Sequence, residues 1–74
     1  MPKYTCKQKV NTRDNHSLTS NKIGALEPSF FGTTVNADDD GLHDGVYWIT
    51  YMGKGGNRVY SCRFDPRNGA TYWE

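Results

Sequence analysis

Long apolar runs are missing from this chain, and so is any imbalance of charge. A membrane-crossing helix needs about 20 consecutive apolar residues, and no stretch approaches that length, so no membrane span is expected. The opening residues MPKYTCKQKV lack the apolar core of a secretory leader. If the protein works outside a cell, something other than its own signal must release it. Nine basic residues stand against eight acidic ones, for a formal charge of +1. They form no stripe that could track a phosphate backbone, which argues against nucleic acid as a partner. Cysteine is scarce as well. Cys6 and Cys62 lie near opposite ends, and no CxxC pair accompanies them, so a cysteine zinc site fails on count. The two could form one disulfide, but without a secretion signal free thiols are the expectation.

Helical periodicity is absent too. No window sustains apolar residues at helical spacing, whereas short strand-like pieces alternate with turn signals, which points to an all-β fold. With 74 residues the chain has room for a single domain, 1–74. A domain of this size buries only about 60% of the surface its unfolded chain exposes. Hydrophobic residues make up 35% of it, but aromatics reach 14%, and large rings can build a core where aliphatics are few.

Tyr4 to Thr12 reads as a first strand, followed by the polar loop RDNHSLTSN, rich in residues that bond their own backbone in turns. KIGAL reads as a second strand, EPS as a turn and FFGTTV as a third strand. NADDDGLHDG reads as a long acidic loop. VYWITYM then alternates, with Tyr47, Ile49 and Tyr51 on one face and Val46, Trp48, Thr50 and Met52 on the other. GKGG supplies a turn, and NRVYSCRF returns with Val59 opposite in sense to Arg58 and Tyr60. After DPRNG, ATYWE can add a closing strand. Together these predict a small barrel of roughly five to seven short strands, an architecture that limits exposed sheet edges.

Two stretches carry a family resemblance. VNTRDNHSLTSNKIGAL resembles the opening of bacterial SH3 domains, in which an Asn-x-Arg strand end leads through a polar loop into an Ile-Gly-x-Leu strand. DGVYWITYMGKGGNRVY resembles the hairpin of the SH3b subfamily that directs phage endolysins and lysostaphin-like bacteriolysins to cell walls. Asp44, Gly45, Trp48, Tyr51, Gly56, Arg58 and Tyr60 match that hairpin with its spacing preserved. ATYWE is similar to the aromatic closing strand of lysostaphin-like members. The resemblance implies an SH3-like barrel that holds a murein hydrolase on Gram-positive peptidoglycan, performs no reaction and needs no cofactor. It implies a groove beside the first long loop that receives a wall peptide. The extended N-terminal segment that forms part of that groove in relatives is not matched, so the identity of the cross-bridge stays open. The expected partners are peptidoglycan and the catalytic domain of an endolysin, with self-association or assembly onto a full-length endolysin as a further expectation. Synthesis is expected in the host cytoplasm, with action at the cell wall after release.

The residues themselves suggest where contact would occur. If Ile49 and Val59 face a core, Trp48 and Tyr60 face outward, as apolar plates with one hydrogen-bonding handle each, suited to glycan faces or glycine-rich backbone. Arg58 would add a fork of donors for carbonyls or carboxylates. The plain alternatives are a Trp48 that caps the barrel or joins a subunit contact, and an Arg58 in a structural ion pair. Tyr72 and Trp73 point to opposite faces of a closing strand, and Trp73 is taken as the groove residue. Thr12, Arg13, Asn15 and His16 lie at the first long loop, where turn-making alone could also explain them.

The acidic loop places Asn36, Asp38, Asp40, Gly41 and Asp44 at positions one, three, five, six and nine of a calcium-loop pattern. Position twelve is Tyr47 rather than glutamate, and no helices flank it, so a solvated acidic loop is the expectation and no metal site is assigned. His16, His43, the aspartates and the two cysteines offer no positioned nucleophile and base, so no catalysis is expected. The rival to wall binding is an SH3-like module gripping a host or phage peptide; a nucleic-acid-binding barrel is disfavoured by the charge.

Overall fold

The computed structural model describes residues 2–28, 33–53 and 55–74. Among them are eight strands and no helix: β1 (Lys3–Thr5), β2 (Val10–Arg13), β3 (Lys22–Leu26), β4 (Thr34–Asn36), β5 (Asp38–His43), β6 (Val46–Met52), β7 (Arg58–Asp65) and β8 (Ala70–Thr71). All pairings are antiparallel. The main sheet runs β3-β2-β7-β6-β5, with β8 on β7, and β1 pairs with β4 in a second, small sheet. The closing segment joins the two. Thr5 and Glu74 exchange backbone hydrogen bonds, Lys7 N–H donates to the Tyr72 carbonyl, and Cys6 bridges to Trp73. Both sheets contribute to one core of Cys6, Val10, Ala37, Ile49 and Trp73, against which Tyr4, Leu26, Val35, Tyr51 and Tyr72 pack. The all-β fold is as expected, with one strand more than the upper expectation.

Two sequence expectations are corrected, and a third lies partly outside the described residues. The first strand is two, because β1 serves the small sheet and β2 the large one. Between them the Cys6 thiol donates to the Gln8 carbonyl, 3.1 Å away. FFGTTV lies partly outside the described residues, and its described end begins β4 at Thr34. The acidic loop is largely a strand. Aspartate and glycine disfavour strands, yet β5 pairs with β6 from Asp38↔Thr50 to His43↔Val46, and neighbouring backbone overrides propensity. As an edge strand it gains from its charges, which discourage pairing with other chains. Its turn has Asp44 at φ 55° and Gly45 at φ 83°, the two positive-φ residues that a tight hairpin requires. An Asp-Gly pair between strands therefore accounts for what read as a loop, and the calcium-loop spacing falls on an extended strand.

Opposed residues share a face. Ile49 with Ser61 and Tyr51 with Val59 share the core face, whereas Trp48 and the pair of Thr50 with Tyr60 lie on the other, and Cys62 opposite Trp48 still packs against the core. The alternation read from VYWITYM thus holds. What fails is the exposure expected on the second face. Val46, Trp48 and Ile49 are all 0% exposed, so β6 is buried on both sides. The 14–21 loop is anchored to this sheet at two points. His16 sets its ring against the edge of Tyr60 at 5.2 Å, and the Leu18 N–H donates to the Asp44 carboxylate at 2.8 Å.

Candidate functional site

Of the eight residues singled out, three are interior. The Trp48 indole N–H donates to the His43 carbonyl at 2.7 Å. Its polar handle is spent inside the protein, and it presents no plate to a ligand. Trp73 is 1% exposed; its N–H donates to the Ser61 hydroxyl at 2.9 Å, and its ring meets the edge of Tyr51. Thr12 is buried because β3 passes over it at Gly24, where a Cβ would come within 3.1 Å of the Thr12 hydroxyl. The expectation that Trp48, Trp73 and Thr12 line a groove is therefore corrected, and of the closing pair it is Tyr72 that reaches one.

That groove has a volume of about 200 Å³ and lies beside the 14–21 loop. Its lining includes Arg13 of β2, Leu18 of the loop, Cys62 and Asp65 of β7, Arg67 and Tyr72. Arg13 donates to the Ser20 carbonyl at 2.8 Å, fixing the near end of the loop. Asp65 is buried and takes a two-pronged pair from Arg67, at 3.0 Å from Nε and 2.9 Å from Nη2. The hydrogen-bonding guanidinium holds the Asp65 carboxyl below the usual carboxylate range. Burial pushes the Cys62 thiol up to about 11. It therefore stays protonated at neutral pH and is a poor nucleophile. Cys6 and Cys62 are not joined to each other in the structure.

Across the loop lies a second cluster that the sequence did not bring together. The His16 Nδ1 is 2.8 Å from Asp40 Oδ2, and His43 Nε2 is 2.8 Å from the Asp40 carbonyl. The two imidazoles stack at 3.9 Å with planes 9° apart. Tyr60 is half-buried against His16. Asn15 is exposed and accepts from the His16 backbone N–H, and Arg58, also exposed, donates to the Thr50 hydroxyl at 3.3 Å. Thus Arg13 lies in the groove, His16 and Tyr60 meet on the other flank, and Arg58 stands apart in its own contact.

Sequence reasoning missed Leu18, Asp65, Arg67 and Tyr72 in the groove, and Asp40 and His43 in the cluster. Asp65 was findable, since Asp-Pro-Arg after a strand places an arginine two residues on, where the turn folds it back. Asp40 and His43 were hidden by the reading of β5 as a loop.

No family model and no curated protein matches the chain at the level of sequence. Solved structures do. Over 97% of this chain it superposes on the lysostaphin SH3b domain in its P4-G5 complex, covering 81% of that chain at 22% identity and a TM-score of 0.78. An SH3b domain in complex with L-canavanine is similar over 97% of this chain and 78% of that one, at 25% identity and a TM-score of 0.77. The cell wall targeting domain of the peptidylglycan hydrolase ALE-1 is similar over 97% and 76%, at 22% identity and a TM-score of 0.78. Strand order, the paired sheets and these superpositions agree: the chain has the SH3b fold.

Proposed function

We propose that this domain is a non-catalytic peptidoglycan-binding module and that wall peptide lies in the groove beside the 14–21 loop. The carrying observation is the groove itself, which joins an aromatic plate at Tyr72, an apolar residue at Leu18 and the remaining donors of Arg13 and Arg67, each already held by Ser20 or Asp65, in about 200 Å³. Peptide backbone with few side chains is gripped by such surfaces, rings covering the chain and arginine meeting its carbonyls or carboxylates. The fold supports the reading, since its structural neighbours include a cell wall targeting domain and an SH3b domain in a P4-G5 complex. Lysostaphin, an antimicrobial peptidase from Staphylococcus simulans, carries such a domain within a longer protein, of whose chain the matched part is 30%. The finer reading is that this module serves a phage endolysin or related murein hydrolase of Gram-positive hosts, reaches the wall after release from the host cytoplasm, and assembles with a catalytic domain or further copies of itself. Tyr60, His16 and Asn15 form the outer flank of that binding surface, and Arg58 stands beyond it as a further donor.

A fluorescent fusion should decorate purified Gram-positive sacculi and stay bound in moderate salt, because stacking and hydrogen bonds are only weakly screened. Tyr72→Leu keeps apolar packing but removes the plate and hydroxyl. It should weaken binding by about tenfold, equivalent to 1.4 kcal/mol, while the denaturation midpoint shows the domain folded. Unchanged binding in Tyr72→Leu and Leu18→Ser refutes the groove. Capture of one host protein without sacculus binding refutes the wall reading in favour of a protein-interaction module.

A further inference from the structure

His16 of the 14–21 loop meets Asp40 and His43, three residues apart on β5, so that one potential ligand atom from each lies within 4.8 Å of the others. We propose that these three side chains bind a divalent transition-metal ion of the zinc class. Two imidazole nitrogens and one carboxylate oxygen suit zinc, nickel or copper, whereas calcium and magnesium require more oxygen donors. The spacing fits. Tetrahedral zinc with bonds of about 2.0–2.1 Å sets neighbouring ligand atoms roughly 3.3 Å apart. His16 Nδ1 and His43 Nε2 stand 2.8 and 3.5 Å from Asp40 Oδ2, on either side of that value.

The backbone also prepares the site. The β5–β6 register slips between Asp39 and Gly41, leaving Asp40 without a ladder partner. Gly41 at φ 80° accommodates the bulge. Bulges of this kind re-aim a side chain, and here the re-aimed carboxylate meets both imidazoles. Side-chain exposures of 37%, 19% and 38% for His16, Asp40 and His43 leave one side open to water. Three protein ligands and one water make an open four-coordinate site. The ion replaces both the His16–Asp40 hydrogen bond and the one from His43 Nε2 to the Asp40 carbonyl, turns the stacked imidazoles toward a common point, and ties the 14–21 loop to β5. This inference is independent of wall binding, because it needs only the three side chains.

The test uses the untagged 74-residue chain, stripped with chelator and titrated with zinc, nickel, calcium and magnesium by calorimetry and thermal unfolding. One equivalent of zinc should bind with micromolar affinity and raise the midpoint by about 5 °C or more at a hundredfold excess over Kd. Millimolar calcium and magnesium should leave the midpoint unchanged. His16→Gln and His43→Gln should each weaken zinc by at least about tenfold, and Asp38→Asn, a neighbouring exposed acid, should not. On the unaltered chain, zinc should shift the side-chain nitrogen resonances of both histidines, which keeps the test valid if a variant unfolds. Absence of uptake at 100-fold molar excess, uptake that leaves both imidazoles unshifted, or affinity that survives both histidine substitutions overturns the proposal.

Discussion

Replacing Trp48 by alanine separates the burial seen here from the outward plate that the hairpin pattern suggests. The indole is 0% exposed and its N–H is bonded to the His43 carbonyl. Truncating a buried tryptophan costs about 3–5 kcal/mol through lost transfer energy and the cavity left behind. Orphaning the carbonyl adds about 1 kcal/mol where water cannot reach it. A domain of 74 residues has a total stability of about 4–11 kcal/mol at 0.05–0.15 kcal/mol per residue. Trp48→Ala therefore removes from about a third of the stability to all of it, and the chain should be partly or wholly unfolded at 37 °C. Trp48→Phe keeps most of the ring and should cost about 1–2 kcal/mol. Urea unfolding followed by far-ultraviolet circular dichroism gives the midpoint and slope, and sacculus binding is measured where each variant is folded. A Trp48→Ala protein with an unshifted midpoint and abolished wall binding refutes the reasoning, since that pair of results belongs to an exposed contact.

Burial raises the Cys62 thiol from 9.0 to about 11 and the Tyr51 phenol from 10.0 to about 12. The unfolded chain thus loses these protons first, and stability present below pH 9 should fall steadily as pH rises toward 11 and beyond; a flat urea midpoint over that range contradicts the burial. At the acid end, the Arg67 partner depresses Asp65, so its contribution is present above the unfolded value near 4 and is lost as pH falls through the lower folded value. Asp65→Asn should flatten the decline of the midpoint between pH 5 and 2. Asp44→Ala removes the acceptor of the Leu18 N–H and places a Cβ-bearing residue without a local bonding group at φ 55°. It should cost about 1–2 kcal/mol and speed hydrogen exchange at the Leu18 amide.

Much of the fold was legible because its signals are local. KIGAL and VYWITYM are strands over their whole lengths, and the alternation in the second assigns Ile49 and Trp48 to opposite faces. Exposure was not legible, since it depends on what lies above a face. The 14–21 loop is anchored at Asp44 and Tyr60, which are distant in sequence, and spacing carries no trace of these contacts. Trp73 and Tyr72 were sorted to opposite faces, but only the bridge from Trp73 to Cys6 shows which of the two turns inward. β5 was obscured by composition, although Asp44-Gly45 is a strong hairpin signal once weighed as a turn rather than as part of a motif.

The loop anchored at Tyr60 and Asp44 also contributes Leu18 to the groove, so under the proposed function stability and recognition share one element. Its hydrogen bonds reach out to Arg13, Asp40 and Asp44, and a segment held in this way loses little further freedom when a ligand arrives. That lowers the ordering cost of binding, which for a rotamer-rich side chain is about 0.5–1.5 kcal/mol. Loosening the loop from the β5–β6 turn should then weaken wall affinity even though Asp44 is not among the groove-lining residues. Asp44→Ala is the discriminating variant. If exchange at Leu18 accelerates while sacculus affinity stays constant, the loop serves stability alone and has no part in holding peptide.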